Sequence, residues 1–457
     1  MRKLNTVNKI IFLFTILIIA FAVSCSGETD LSTNSMGGMV DPIDRAGPGE
    51  ILVTHIFSQE NGNIAVRIDV PKRPRYRETA PIVVAASTWF VDKYNEDEVE
   101  FHLVYNPVEI GAISISNLWP GKTDPATKIS SEASLRDTIR FALGEIPDID
   151  GHYLHELVNV EPLYDNVGMF ASSHAGVVAT NVMAYYGESF PGLKYFVGRE
   201  NPTMAEMYPL EIGHWDDRHH AIYNPFYHHE GYTPTSIDVD YSTLGWVQNA
   251  DYPEGRPCFK VPGGRDYVLD DKGPNIKGKR YFSHALTKAL LDNGVFTMGD
   301  WPDDLATPAE TGDFWPYRVP IHNYEAIGEK LPELRVMIVF ATDDHVQAAP
   351  DKPHIRQAYD GFRKRAGLWV RLNCDIVYTQ SEIHPSASIA AGFPDKAANT
   401  EPHDWYNDAE SWGFAGKLAG EMTNRTIPLA GIAEMADRVH ADIWRPNLDN
   451  VVGNPDR

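Results

Sequence analysis

The stretch Asn166-Val167-Gly168-Met169-Phe170-Ala171-Ser172-Ser173-His174-Ala175-Gly176 constrains this chain more than any other. Apolar residues run into small ones around a serine, and a further apolar run from Val177 to Tyr186 follows, stopped by Gly187. A strand that turns sharply into a helix forces the serine between them towards positive φ, and crowding at the turn admits only small residues two places to either side. Ala171 and Ala175 hold those places around Ser173. The N–H groups that open the helix would face the space beside Ser173, where negative charge on an oxygen would be stabilised. Such a turn suits acyl transfer. The simpler reading of Ala-Ser-Ser-His-Ala-Gly is an ordinary helix entry with Ser172 or Ser173 as N-cap.

The elements around this turn come in a telling order. Ile51 to Phe57 and Ile64 to Val70 flank Glu60-Asn61-Gly62, a hairpin signal, so the folded part opens with an antiparallel pair. Pro81 to Ala86 and Ala112 to Ser116 are short apolar runs of the kind that buried parallel strands need. Leu135, Ile139, Ala142 and Leu143 recur at helical spacing, with Gly144 placed to end the helix. After the serine turn, Leu193 to Val197 is another strand. Alternating strands and helices imply an α/β fold with a doubly wound, mostly parallel sheet.

With the serine turn and this order in hand, the chain resembles the α/β-hydrolase superfamily. Its nucleophile elbow has the form small-x-Ser-x-small-Gly, which Ala171 to Gly176 matches, with alanine standing at both flanks where the stricter form has glycine. The resemblance implies a Ser…Asp…His triad in that chain order. Arg335 to Phe340 is the next apolar strand; it runs into Ala341-Thr342-Asp343-Asp344-His345-Val346, where Asp344 takes the position of the acid and Asp343 is the alternative. Both carboxylates could instead cap the amphipathic helix expected over Lys352 to Ala366. A last strand is expected at Asp375 to Thr379. The base belongs shortly after it, which favours His384, with His403 in competition because it directly precedes a helical stretch. One oxyanion donor would be the His174 N–H and the other would come from the loop after Pro81 to Ala86, with Trp89 the best candidate. That loop reads Ser87-Thr88-Trp89-Phe90 and lacks the glycines commonly found there.

The N-terminus sets the compartment. Arg2, Lys3 and Lys9 precede an apolar run from Ile10 to Val23 that ends in Ala22-Val23-Ser24-Cys25, the pattern of a secretory signal. Cys25 resembles a bacterial lipobox cysteine, which implies diacylglycerol on its thiol and a lipid-anchored protein of the cell envelope, with Ser26 suited to the outer membrane. An ordinary signal peptide or an uncleaved anchor is the alternative. Residues 1–24 are thus expected to be a signal peptide and 25–49 an anchor and polar tether. Residues 50–200 and 331–457 would form the two parts of the core. Cys258 and Cys374 could pair or stay free. A net charge of -23 disfavours nucleic acid as a partner.

From about Asn201 to residue 330 the pattern dissolves into a Pro-, Gly-, His- and Trp-rich region, whose clearest helix is Ser283 to Asn293. This reads as a lid or cap insertion over the site. Its His214, His219, His220, His228 and His229, with Asp216, Asp217 and Glu230, are zinc-compatible residue types. They have no regular ligand spacing, and the interleaved aromatics suit a substrate platform, so neither metal nor cofactor is expected. Three function classes follow: a serine hydrolase acting on an ester, a prolyl-oligopeptidase-like peptidase, and a non-catalytic surface binding protein on a hydrolase scaffold.

Overall fold

The computed structural model describes residues 45–86, 105–117, 130–200, 211–215, 221–233, 235–270, 273, 275–276, 278–339, 353–372, 426–442 and 444. Its frame is an eight-stranded sheet: β1 (Ile51–Ser58), β2 (Gly62–Asp69), β3 (Thr79–Ala86), β4 (Ile113–Asn117), β5 (Glu161–Ser172), β6 (Leu193–Arg199), β7 (Arg335–Val339) and β8 (Trp369–Leu372). The spatial order is β1-β2-β4-β3-β5-β6-β7-β8. β2 pairs antiparallel with both β1 and β4, and every other pairing is parallel. Such an order, with helical crossovers and a single reversed strand, is the doubly wound α/β arrangement expected from the sequence, of the α/β-hydrolase type.

Burial explains why the central strands read as continuous apolar runs. In β3 every residue after Thr79 is buried, and β4 is buried throughout, because helices cover both faces. One face carries α1 (Ser130–Ala142) and α2 (His174–Tyr186), joined by α5 (Tyr324–Lys330) and α6 (Pro353–Asp360) in one hydrophobic cluster. Val177, Val178, Ala179, Val182 and Met183 of α2 are fully buried, each valine worth about 1.5–3 kcal/mol of burial. The opposite face is covered by α7 (Thr426–Ala441), whose Leu429, Ile432, Met435 and Ala436 pack on Val83, Phe170, Tyr195 and Met337. Polar ties fix that helix: Asn166 Nδ2 donates to the Ala436 carbonyl at 2.9 Å, and Arg75 grips Asp437 through two bonds of 2.6 Å. Among the described residues no helix is long and apolar enough to cross a membrane.

One strand of the sheet has no counterpart among those expected from the sequence. β8 lies at Trp369–Leu372, ahead of the Asp375 to Thr379 run, which is outside the described residues. Its signature was hidden by a buried arginine: Arg371 is 4% exposed and lies 3.5 Å from Glu434 of α7. A charged residue in a four-residue strand reads as solvent-facing when its partner, far along the chain, is not visible.

Between β6 and β7 the described chain forms small antiparallel pairs, Gly213–Trp215 with Ala221–Tyr223 and Tyr227–Thr233 with Ser236–Val239, then the three strands Leu244–Val247, Arg256–Phe259 and Tyr267–Val268. Phe259, Leu269, Phe282 and the α3 residues Leu286 and Leu290 (α3, His284–Asp292) give this region its own core. Helix α4 (Pro308–Arg318) starts from a reciprocal cap between Thr307 and Glu310 and puts Phe314 and Trp315 into the principal core. Trp315 Nε1 also donates to the Phe282 carbonyl at 2.6 Å, linking the two cores.

Candidate active site

β5 enters the turn through Ala171, fully buried, and Ser172, and α2 leaves it at His174 with Ala175 again fully buried. Ser173 stands between them at φ 53° and ψ -130° and is exposed. Such a backbone combines positive φ with a ψ far from the left-handed helical well, a region that residues with a Cβ rarely adopt. Its side chain makes no capping hydrogen bond, so the helix-entry reading of Ser173 does not describe the turn. Instead the turn is held by backbone: the Ser173 N–H donates to the Arg199 carbonyl at 2.8 Å, and the Gly176 N–H donates to the Ser173 carbonyl at 2.8 Å. His174 is the first residue of α2, and its N–H belongs to the opening turn whose donors have no intrahelical acceptor. An exposed hydroxyl, forced out of the backbone at the positive end of a buried helix, is the arrangement that acyl transfer requires.

Two glycine and alanine positions show why small residues were needed. Gly168 faces Tyr195 across β5 and β6, and a Cβ there would come within 2.1 Å of the buried ring. Ala171 pairs with Gly198 just before the turn, so neither strand carries a large side chain there.

Next to the turn, at the end of β6, lies a pair that the sequence reading missed. Glu200 has φ 44°, is 4% exposed, and its Oε2 lies 3.2 Å from Nε2 of His354 in α6, itself 4% exposed. The Glu200 N–H donates to the Val339 carbonyl at 3.0 Å. Nothing local marked Glu200, in Gly198-Arg199-Glu200-Asn201, as buried; only its place directly after an apolar strand hinted at it. From the insertion, Thr233 reaches α6, where its carbonyl accepts from Gln357 Nε2 at 3.5 Å.

Of the residues expected to complete the site, Trp89, Asp343, Asp344, His384 and His403 lie outside the described residues, as do Cys25 and Cys374. Cys258 is a free, buried cysteine of the strand Arg256–Phe259, and burial pushes its thiol pKa up. In the insertion His228 is exposed, whereas His219, His220, Asp216 and Asp217 fall outside the described residues. Among the described residues no group of three or more His, Cys, Asp or Glu side chains is gathered to hold a metal.

No protein-family model and no curated protein matches the sequence. Solved structures do. Prolyl oligopeptidase B from Galerina marginata is 12% identical over 77% of this chain and 37% of its own length, with a TM-score of 0.35. This chain therefore spans well under half of that peptidase. Carboxyl esterase 2 from the mycorrhizal fungus Tuber melanosporum is 12% identical over 72% of this chain and 79% of its own, with a TM-score of 0.37. An esterase of Pyrobaculum calidifontis is 11% identical over 86% of each chain, with a TM-score of 0.36.

Proposed function

We propose that the protein is a serine hydrolase that cleaves an ester through an acyl-enzyme formed on Ser173. The observation that carries this reading is the backbone of Ser173 itself, held at positive φ between β5 and α2 with its side chain exposed and not used as a cap. Asp344 orients and stabilises the base, His384, with His403 as the competing base. The imidazole takes the Oγ proton as the Oγ–carbon bond forms, and returns it to the alcohol oxygen as the ester C–O bond breaks. Water then attacks the acyl-enzyme by the same route, releasing the acid and restoring the serine. The N–H groups of His174 and Trp89 stabilise the tetrahedral oxyanion. Specificity comes from the insertion between β6 and β7, which acts as a cap. The enzyme works in the cell envelope, anchored by lipid on Cys25 with residues 26–49 as the tether, on a small or polymer-derived ester.

The test is fluorophosphonate labelling of the form that begins at Ser26. Wild type, Ser173→Ala, His384→Ala and His403→Ala are compared side by side. Labelling lost in Ser173→Ala and in one histidine variant is the expected result. A folded wild type that takes no label, or a Ser173→Ala variant that labels as well as wild type, refutes the reading. Parallel panels of esters and peptides decide between esterase and peptidase.

A further inference from the structure

Eight large hydrophobic side chains stand exposed among the described residues, and five of them belong to β1 and the segment fastened along it: Ile51, Val53, Phe57, Ile149 and Tyr153. Alternation along β1 puts Ile51, Val53 and Phe57 on one face, 55%, 40% and 63% exposed, while Ile56 on the other face is buried in the core. β1 is an edge strand of the sheet. The Ile149 N–H donates to the His55 carbonyl at 2.8 Å, and Thr54 Oγ1 donates to the buried Asp148 carboxylate at 2.8 Å. Asp148 in turn accepts from the Asp150 and His152 amides at 3.0 and 2.8 Å, so Ile149 is held out beside β1. With the His55 carbonyl taken, a further strand cannot add along the whole of β1, and what this edge offers is apolar side chains.

The described chain begins beside this patch. The Arg45 guanidinium donates to the His155 and Val158 carbonyls at 2.7 and 2.6 Å, and the Ala46 N–H donates to the Leu157 carbonyl at 2.9 Å, which sets Arg45 against the turn that follows Tyr153. Arg45 comes 20 residues after Cys25, and a chain of that length spans at most about 70 Å. Lipid on Cys25 would confine the patch within that reach of a bilayer, where a high local concentration makes weak apolar contact count. Exposed Glu50 and Asp150 flank the patch, so the attraction it offers is apolar rather than electrostatic. We propose that Ile51, Val53, Phe57, Ile149 and Tyr153 rest the fold on a lipid bilayer. β5 stands four places from β1 in the sheet, about 19 Å at the usual strand spacing, so docking at β1 holds the Ser173 turn off the lipid. This proposal rests on the reading of a lipid-anchored envelope protein given above.

The experiment measures flotation with vesicles of phosphatidylcholine and phosphatidylethanolamine in equal parts, using the form beginning at Ser26, which carries no lipid of its own. Wild type, Ile51→Ser/Phe57→Ser, Ile149→Ser and Met298→Ser are compared, with urea unfolding to establish that each is folded. Wild type is expected to float with the vesicles, and added salt should leave its binding unchanged. Ile51→Ser/Phe57→Ser should lower the partition coefficient about tenfold or more, because both side chains lose most of the apolar area they bring to the lipid. If that variant does not fold, Ile149→Ser decides, with an expected loss of about threefold. Met298, 57% exposed in the insertion, is the control, and Met298→Ser should stay within about twofold of wild type. A folded wild type that does not float overturns the proposal. So does a folded Ile51→Ser/Phe57→Ser or Ile149→Ser protein that floats as well as wild type, or an equal loss in Met298→Ser. A dimer in sedimentation that depends on the patch, without vesicle binding, also overturns it, since the occupant is then a second copy of the chain. Failure of the anchoring reading looks different: the full chain, expressed in bacterial cells, would take up no labelled palmitate that Cys25→Ala removes, and the docking role would fall with it.

Discussion

Replacing Ser173 with glycine separates backbone strain from chemistry at the turn. At φ 53° and ψ -130° a serine sits where a Cβ is disfavoured, a situation that costs about 1–3 kcal/mol. Glycine adopts that backbone freely but has more conformational freedom to lose on folding, roughly 0.4–1 kcal/mol. The balance favours Ser173→Gly by about 1–2 kcal/mol. Ser173→Ala is the control, because it removes the hydroxyl while keeping the Cβ and so the strain. The hydroxyl makes no capping bond, so its loss alone should change stability by under about 0.5 kcal/mol. At an m-value of about 3 kcal/mol/M the glycine variant should unfold about 0.3–0.7 M higher in urea than the alanine variant. Both should be inactive. Equal urea midpoints for the two variants would refute the claim that the turn stores strain, whatever their activity.

Three further outcomes are expected. Gly168→Ala drives a Cβ to within 2.1 Å of the buried Tyr195 ring and should destabilise by about 3 kcal/mol, with Gly168→Ala/Tyr195→Val recovering part of that loss in a urea double-mutant cycle; additive effects would count against the contact. The hydrogen-bonded Arg136 guanidinium holds the Glu60 carboxyl below its ordinary range, so the bridge stabilises above that range and its contribution disappears as pH falls through the lowered pKa. Glu60→Gln should therefore weaken the protein by only about 0.5–1 kcal/mol at neutral pH, since Glu60 is a third exposed, and the gap should close in acid; a gap that widens in acid would contradict the sign. In a Cys374→Ser background beginning at Ser26, Cys258 should react with a thiol reagent only on unfolding, because the thiol is buried and its pKa is raised; fast reaction of the native protein would contradict its placement.

Local pattern was enough for most of the frame. The hairpin around Asn61-Gly62, the apolar runs that became β3, β4, β6 and β7, and the helices begun near Ser134 and ended at Tyr186 and Asn293 are all short-range signals of periodicity, turns and glycine stops. The small residues flanking Ser173 likewise announced a turn too crowded for larger side chains, and Ser173 has the positive φ which that crowding implies.

What local pattern could not supply was any feature whose partner lies far along the chain. Whether Ser173 capped its helix or was thrust out of it was open in the sequence, and was decided by the Arg199 carbonyl at the end of the neighbouring strand. Arg371 is buried in β8 beside Glu434, 63 positions later, whose carboxylate makes the burial of its charge tolerable. Glu200 and His354 were each unremarkable alone. A buried charge is favourable only beside its counterpart, and that counterpart is chosen by the order in which strands assemble, which periodicity along the chain does not encode.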